Sequence, residues 1–363
     1  MIASSLDHIK ITGVSAALPT KKIYSKDYAN VFGEKIVEKL IASTGVRECW
    51  QAHEKQTASD LAFAAADRML NELGIDRSSI GVLLFVTVSP DYPSPPSAMV
   101  LQKRLGISQD CIAYDINLGC SGFVYGLHTA ASLLRVTSAE QALVLVGDTL
   151  SKRMSPYDTS RILYGDAGGA ALLEKTEEDV PPMQFGLKSD GTRFKIMTIP
   201  AGGARCPDAP HEYQTGPDNI RRTDYQIYMD GMETFNFALK DVPKLFQEFA
   251  EHFHVSSEDV DALVLHQPNE FILKHLAKKL KVPPEKMPLT IEYFGNTESA
   301  SIPVTLCDAF GAERGTGAKR LMLSGFGVGL SWGVAALKLD MDAVFPIFHT
   351  DDYYTDGDIS HGQ

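Results

Sequence analysis

The run Gly81 to Val88, GVLLFVTV, is apolar except for one threonine and is bracketed by Asp76-Arg77-Ser78-Ser79 and Ser89-Pro90-Asp91. So short an apolar stretch between turn-forming residues suits a strand covered on both faces. Such strands belong to sheets with helices packed on each side. Ala142 to Val146 and Ala262 to Leu265 have the same character. Helical segments alternate with them. Ala58 to Leu73 follows a candidate N-cap at Thr57 or Ser59 and stops at Gly74, Ser97 to Leu105 is a second, and Met232 to Phe253 is a long amphipathic third. Ile9 to Ala16 and Ile112 to Ile116 read as further strands, so the expected class is α/β.

The order repeats. A polar turn, a buried strand and a proline-containing loop occur in DRSSIGVLLFVTVSP and again in SSEDVDALVLHQP. Leu143 to Gly147 leads from a strand into a glycine-bearing segment, and Arg320 to Ser324 does the same later. This echo predicts two similar halves. The charged, proline-bearing segment Glu174 to Pro182 suggests halves at 1–178 and 179–345, followed by an acidic tail at 346–363 that is expected to be poorly ordered. Gly202 to Asp224, rich in Gly, Pro, Asp and Arg, reads as a surface insertion.

A formal net charge of -12 argues against nucleic acid as the main partner, since phosphate recognition needs a basic face. Leu321 to Leu337 carries no charge, but Gly325, Gly327, Gly329 and Gly333 fit two buried strands and a tight turn better than a membrane helix. The first residues, MIASSLDHIK, lack the apolar core of a signal peptide. Five cysteines without a CxxC pair do not make a disulfide framework, so a cytoplasmic, reducing location is expected.

Three side chains are candidates for chemistry. Cys120 lies between a strand and a helix that runs to about Leu134, in Leu118-Gly119-Cys120-Ser121-Gly122. Unpaired N–H groups and the helix dipole at that position favour a thiolate nucleophile. A small buried cysteine packing the junction fits the same pattern. His266 ends the apolar strand 262–265, where open α/β sheets place ligands, although a hydrogen-bonded core histidine fits equally. Asn296, after Gly295, is by itself a turn residue. The backbone of Phe326-Gly327-Val328-Gly329 either presents N–H groups to an oxyanion or simply turns the chain.

Taken together, six stretches resemble the β-ketoacyl-acyl carrier protein synthase III family of the thiolase-fold superfamily. They are Ser43 to Glu48, Asp115 to Phe123, Tyr164 to Ala170, His266 to Asn269, Gly295 to Pro303 and Gly325 to Gly333. They occur in family order and span residues of about 8 to 340. The resemblance implies two α/β halves in a five-layered αβαβα arrangement, usually a homodimer, with no cofactor and no metal.

The resemblance also implies roles. Cys120 accepts an acyl group from an acyl thioester donor, either acyl-ACP or acyl-CoA. His266 and Asn296 stabilise the enolate formed when malonyl-ACP loses carbon dioxide, and the enolate attacks the acyl-Cys in a decarboxylative Claisen condensation. The N–H groups of Cys120 and Val328 form the oxyanion hole, while Asn269 and Gly327 line the substrate path. The helix after His266 carries Lys274, Lys278 and Lys279, a basic patch suited to an acyl carrier protein, although a solvated helix face fits the same charges equally. A degradative thiolase needs a second cysteine in the C-terminal glycine-rich loop, and Ser324 to Gly333 has none. An elongating ketosynthase carries a second His where this chain has Asn296. The Trp and Arg that in the family often grip coenzyme A before the Thr-Gly-Val-Arg stretch are missing from Lys39 to Ser43, which shifts the expected donor toward a carrier protein. Two alternatives stand beside condensation: an acyltransferase of the same fold acting on a hydroxyl or amine, and an inactive structural partner subunit.

Overall fold

The computed structural model describes residues 1–357. Its centre is a pair of sheets separated by a layer of helices. In the first sheet, strands run in the order Phe348–His349, Ile9–Leu18, Ala167–Lys175, Gln141–Asp148, Ile80–Val86, Ile112–Ile116. In the second the order is Ile2–Leu6, Met183–Ser189, Ser331–Asp340, Ala318–Gly327, Ala262–Leu265.

The two orders are the same pattern. Ile80–Val86 runs parallel to Gln141–Asp148, which is antiparallel to Ala167–Lys175. Correspondingly, Ala262–Leu265 runs parallel to Ala318–Gly327, which is antiparallel to Ser331–Asp340. The echo in the sequence is therefore an echo in topology. The chain crosses between the sheets at both ends: Ile2–Leu6 pairs with Met183–Ser189 in the second sheet, and Phe348–His349 pairs with Ala17 and Leu18 in the first.

Two helices fill the space between the sheets, Gly122–Val136 and Ser301–Phe310. Their apolar side chains, among them Phe123, Leu127, Ile302 and Leu306, form one core with inward residues of both sheets. Ala58–Glu72 and Ser97–Leu105 cover the outer face of the first sheet, and Gly231–Phe253 and Glu270–Lys279 cover that of the second. The result is αβαβα. Helix Ala58–Glu72 starts at Thr57, whose hydroxyl accepts from the Asp60 N–H while the Asp60 carboxylate accepts from the Thr57 N–H. The uncharged stretch 321–337 forms two antiparallel strands joined by a turn. Among the described residues no helix is long and apolar enough to cross a membrane.

The acidic tail departs from expectation. Residues 346–357 are packed: the buried Gln56 amide donates to the carbonyls of Thr350 and Asp352, and the Tyr354 N–H donates to Asp60. The Arg104 guanidinium lies 4.6 Å from the Tyr354 ring. Acidic composition suggested disorder, but the tyrosines and the exposed carbonyls find buried partners. The end of the tail, 358–363, lies outside the described residues.

Candidate active site

Cys120 sits two residues ahead of helix Gly122–Val136, on the turn that follows strand Ile112–Ile116. The turn closes with the Gly122 N–H donating to the Gly119 carbonyl at 2.7 Å. Strand Ala318–Gly327 lies directly against it. A Cβ on Gly325 would come within 2.8 Å of the Cys120 carbonyl oxygen, and one on Gly327 within 2.7 Å of Cys120 Sγ. These two glycines let the second sheet touch the sulfur.

His266 ends strand Ala262–Leu265, and its N–H donates to the Ser324 carbonyl at 2.8 Å. Its ring stacks edge-on to Phe326, and Nδ1 is 2.8 Å from Ser301 Oγ. Burial pushes the imidazole pKa down to about 3, so the ring is neutral at any ordinary pH. Ser301 has one hydroxyl proton and two acceptors, His266 Nδ1 and the Glu298 carbonyl at 2.9 Å. Donation to Nδ1 would place the ring proton on Nε2, and donation to the Glu298 carbonyl would place it on Nδ1.

Asn296 is held by its backbone, its N–H donating to the Leu163 carbonyl at 2.7 Å and its carbonyl accepting from the Gly165 N–H at 3.1 Å. A Cβ on Gly165 would sit 2.2 Å from the Phe294 carbonyl oxygen, and Gly295 adopts φ 65°. Only glycines allow the two loops so close. The Asn296 Oδ1 accepts from the Glu298 N–H at 2.9 Å, which leaves Nδ2 as the donating end of the amide.

Cys120, His266 and Asn296, distant in sequence, line one pocket of about 110 Å³. Gly327 and Asn269 line it too. Asn269 also caps helix Glu270–Lys279, its Oδ1 accepting from the Ile272 N–H. Apolar walls come from Leu163, Met197, Met229, Phe237 and Phe326. Val328 adjoins Gly327 beside Gly119, one residue beyond the strand. Lys274, Lys278 and Lys279 are not in the pocket. They are exposed on the adjoining helix, Lys274 paired with Glu270 at 2.7 Å and Lys279 donating to the Leu239 carbonyl. Among the described residues no group of three or more His, Cys, Asp or Glu side chains is placed to hold a metal.

Glu298 is the residue that the sequence reading passed over. It is 3% exposed, has φ 51°, and its Oε2 lies 2.7 Å from Cys120 Sγ. Burial and the neighbouring Asp148 raise its pKa to about 7. The signal was available: one carboxylate in Gly295 to Ser301, a stretch otherwise without charge. The thiol departs from expectation as well. Burial first, then the Glu298 charge, hold Cys120 well above the ordinary thiol range, so the helix N-terminus alone does not make it a thiolate.

A cysteine ahead of a central helix, met by side chains from a second half of the same topology, is the arrangement of the thiolase fold. The sequence matches the family descriptions 3-oxoacyl-(acyl-carrier-protein) synthase III at residues 114–191 and its C-terminal counterpart at 250–339. It is 32% identical to β-ketoacyl-(acyl-carrier-protein) synthase III of Clostridium perfringens over 335 residues, covering 92% of this chain and 100% of the relative. The Neisseria meningitidis enzyme of that name is also 32% identical, with the same coverage. A crystal structure of 3-oxoacyl-(acyl-carrier protein) synthase from Burkholderia xenovorans superposes with a TM-score of 0.89 at 32% identity, covering 96% of this chain and 99% of that one. The chain belongs to the β-ketoacyl-acyl-carrier-protein synthase III family of condensing enzymes, an acyltransferase class.

Proposed function

We propose that this protein transfers an acyl group from a thioester donor to Cys120 and condenses it with malonyl-ACP to give a β-ketoacyl-ACP. The observation that carries the reading is the meeting of Cys120, His266 and Asn296 in one pocket with Gly327 against the sulfur.

The chemistry follows from the geometry. Sγ attacks the donor thioester carbonyl and forms the acyl-enzyme. The oxyanion that develops is met by the N–H groups of Cys120 and Val328. Malonyl-ACP then enters along the pocket past Asn269 and Gly327. As its carbon dioxide leaves, negative charge builds on the thioester oxygen. Asn296 Nδ2 and a proton on His266 Nε2 hold that charge as hydrogen-bond donors, the imidazole acting in its neutral form. The enolate carbon attacks the acyl-Cys carbonyl, and Sγ departs.

The apolar walls of the pocket suit an aliphatic acyl group. Lys274, Lys278 and Lys279 supply a local positive surface, on the helix that Asn269 caps, for an acidic carrier protein, on a chain of net charge -12. The absence of Trp and Arg before Thr44 supports a carrier protein rather than coenzyme A as donor. In the family's usual assembly the enzyme acts as a cytoplasmic homodimer. The test is carbon dioxide release from malonyl-ACP by acyl-loaded enzyme. Release with a β-ketoacyl-ACP product supports condensation. Acyl-Cys formation without release points instead to a hydroxyl or amine acceptor.

A further inference from the structure

We propose that Glu298 is the proton acceptor for Cys120 during acyl transfer, taking the thiol hydrogen as Sγ attacks and returning it to the departing sulfur. The inference rests on the reading of Cys120 as the acyl acceptor and assigns it a further catalytic residue.

The contact is direct, 2.7 Å from Sγ to Oε2, with the thiol donating. Room for it is built in. A Cβ on Gly119 would lie 3.0 Å from Oε2. Glu298 holds a left-handed backbone conformation that side-chain-bearing residues rarely adopt, and its surroundings enforce it. Its N–H donates to Asn296 Oδ1, and its carbonyl lies 2.9 Å from the Ser301 hydroxyl. The next residue is clamped by Asp148, which accepts from both the N–H and the hydroxyl of Ser299. Of the residues that fix this loop, Asn296 is itself a candidate catalytic group and Ser301 is the partner of His266.

A base is also required. The thiol is held protonated by burial, so attack at neutral pH needs a group to take its hydrogen. The titratable groups around the Glu298 carboxyl are Cys120, Asp148, Tyr164 and His266. His266 is neutral, and Asp148 with burial raises Glu298 into the range where it exchanges a proton near pH 7.

The step balances without a further reactant. The S–H proton moves to Oε2 as the new S–C bond forms and the carbonyl π pair shifts onto oxygen. On collapse the bond from carbon to the donor sulfur breaks, and that sulfur takes the proton back from Glu298. Acyl-Cys, a free donor thiol and a carboxylate remain.

The test is single-turnover acylation of the full chain with octanoyl-N-acetylcysteamine, followed by quenched intact-mass spectrometry between pH 5.5 and 8.5. Wild-type acylation is expected to rise along a limb centred near pH 7. Glu298→Gln is expected to acylate roughly 10²-fold or more slowly and to lose that limb. Glu298→Asp, which keeps a carboxylate, is expected to keep the limb at reduced rate. A limb and rate in Glu298→Gln within about twofold of wild type, or a limb missing from Glu298→Asp, overturns the proposal. Failure of the wild type to form any acyl-Cys with this donor defeats the acyl-enzyme reading beneath it, and the proposal with it.

Discussion

Cys120 and Glu298 touch at 2.7 Å from matching places in the two halves of the fold, each standing just ahead of one of the two central helices. The duplication thus sets a thiol and a carboxylate face to face across the middle of the molecule. Both are buried: the Glu298 charge raises the cost of a thiolate, while burial and Asp148 raise the cost of the carboxylate, which the thiol's hydrogen bond partly offsets.

That cost gives a stability prediction. The Glu298 carboxyl titrates near 7 in the folded protein and near 4.5 without its surroundings. The folded state therefore binds this proton more tightly. Its contribution to stability is fully present below pH 4.5 and is lost as pH rises to 7, at most about 3 kcal/mol. Glu298→Gln is expected to raise Tm relative to wild type at pH 8 and to leave it nearly unchanged at pH 4.5. Thermal melts at the two pH values check it.

Gly327→Ala places a methyl 2.7 Å from Sγ and 2.6 Å from the Cys120 Cβ. Something must shift, and the shift falls on the nucleophile. Acylation is expected to fall at least about tenfold, while overpacking destabilises the fold by roughly 1–3 kcal/mol. Rates of acyl-Cys formation and a urea melt separate the two effects.

The three candidate side chains each fitted a structural role as well and came together only through the resemblance, whereas the alternation of buried strands and helices was legible in local signals, apolar runs bounded by turn residues. Helix Ser97–Leu105 and strand Ile112–Ile116 have the expected bounds for that reason. Glu298 was not legible as a site residue. Its role comes from burial and from a contact with a residue 178 positions away, which no local pattern encodes. The tail misled through composition. Its acidic residues suggested solvation, whereas its order comes from Gln56 and Asp60, 294 residues before their partners, and from Arg104 against Tyr354.

Truncation after residue 347 tests that packing. It removes the short parallel strand at Phe348–His349 and strands the buried Gln56 amide without its two carbonyls. Tm is expected to fall by roughly 2–6 °C. An unchanged Tm would show that the tail contributes nothing to the folded state.

His266 is expected to be neutral from pH 5 to 8, with its proton on Nε2 and Ser301 donating to Nδ1. Nitrogen chemical shifts of a selectively labelled ring report both. A proton on Nδ1 would leave Nε2 as an acceptor, unable to hold the enolate oxygen.

Asn296→Ala separates the half-reactions. Its Nδ2 is assigned to the malonyl thioester oxygen, so decarboxylation is expected to fall about 10²–10³-fold. Acyl-Cys formation should be affected much less, with any loss coming through the Glu298 N–H that Oδ1 accepts. Equal loss of both half-reactions contradicts the assignment.

The most direct measurement is the mass of the intact enzyme after exposure to acyl-ACP, followed by malonyl-ACP. The wild type is predicted to gain one acyl group, mapped by peptide digestion to Cys120, and to lose it on adding malonyl-ACP as carbon dioxide and β-ketoacyl-ACP appear; Cys120→Ala should gain nothing. An acyl group on any other residue, or an acylated Cys120→Ala enzyme that still condenses, would contradict the account.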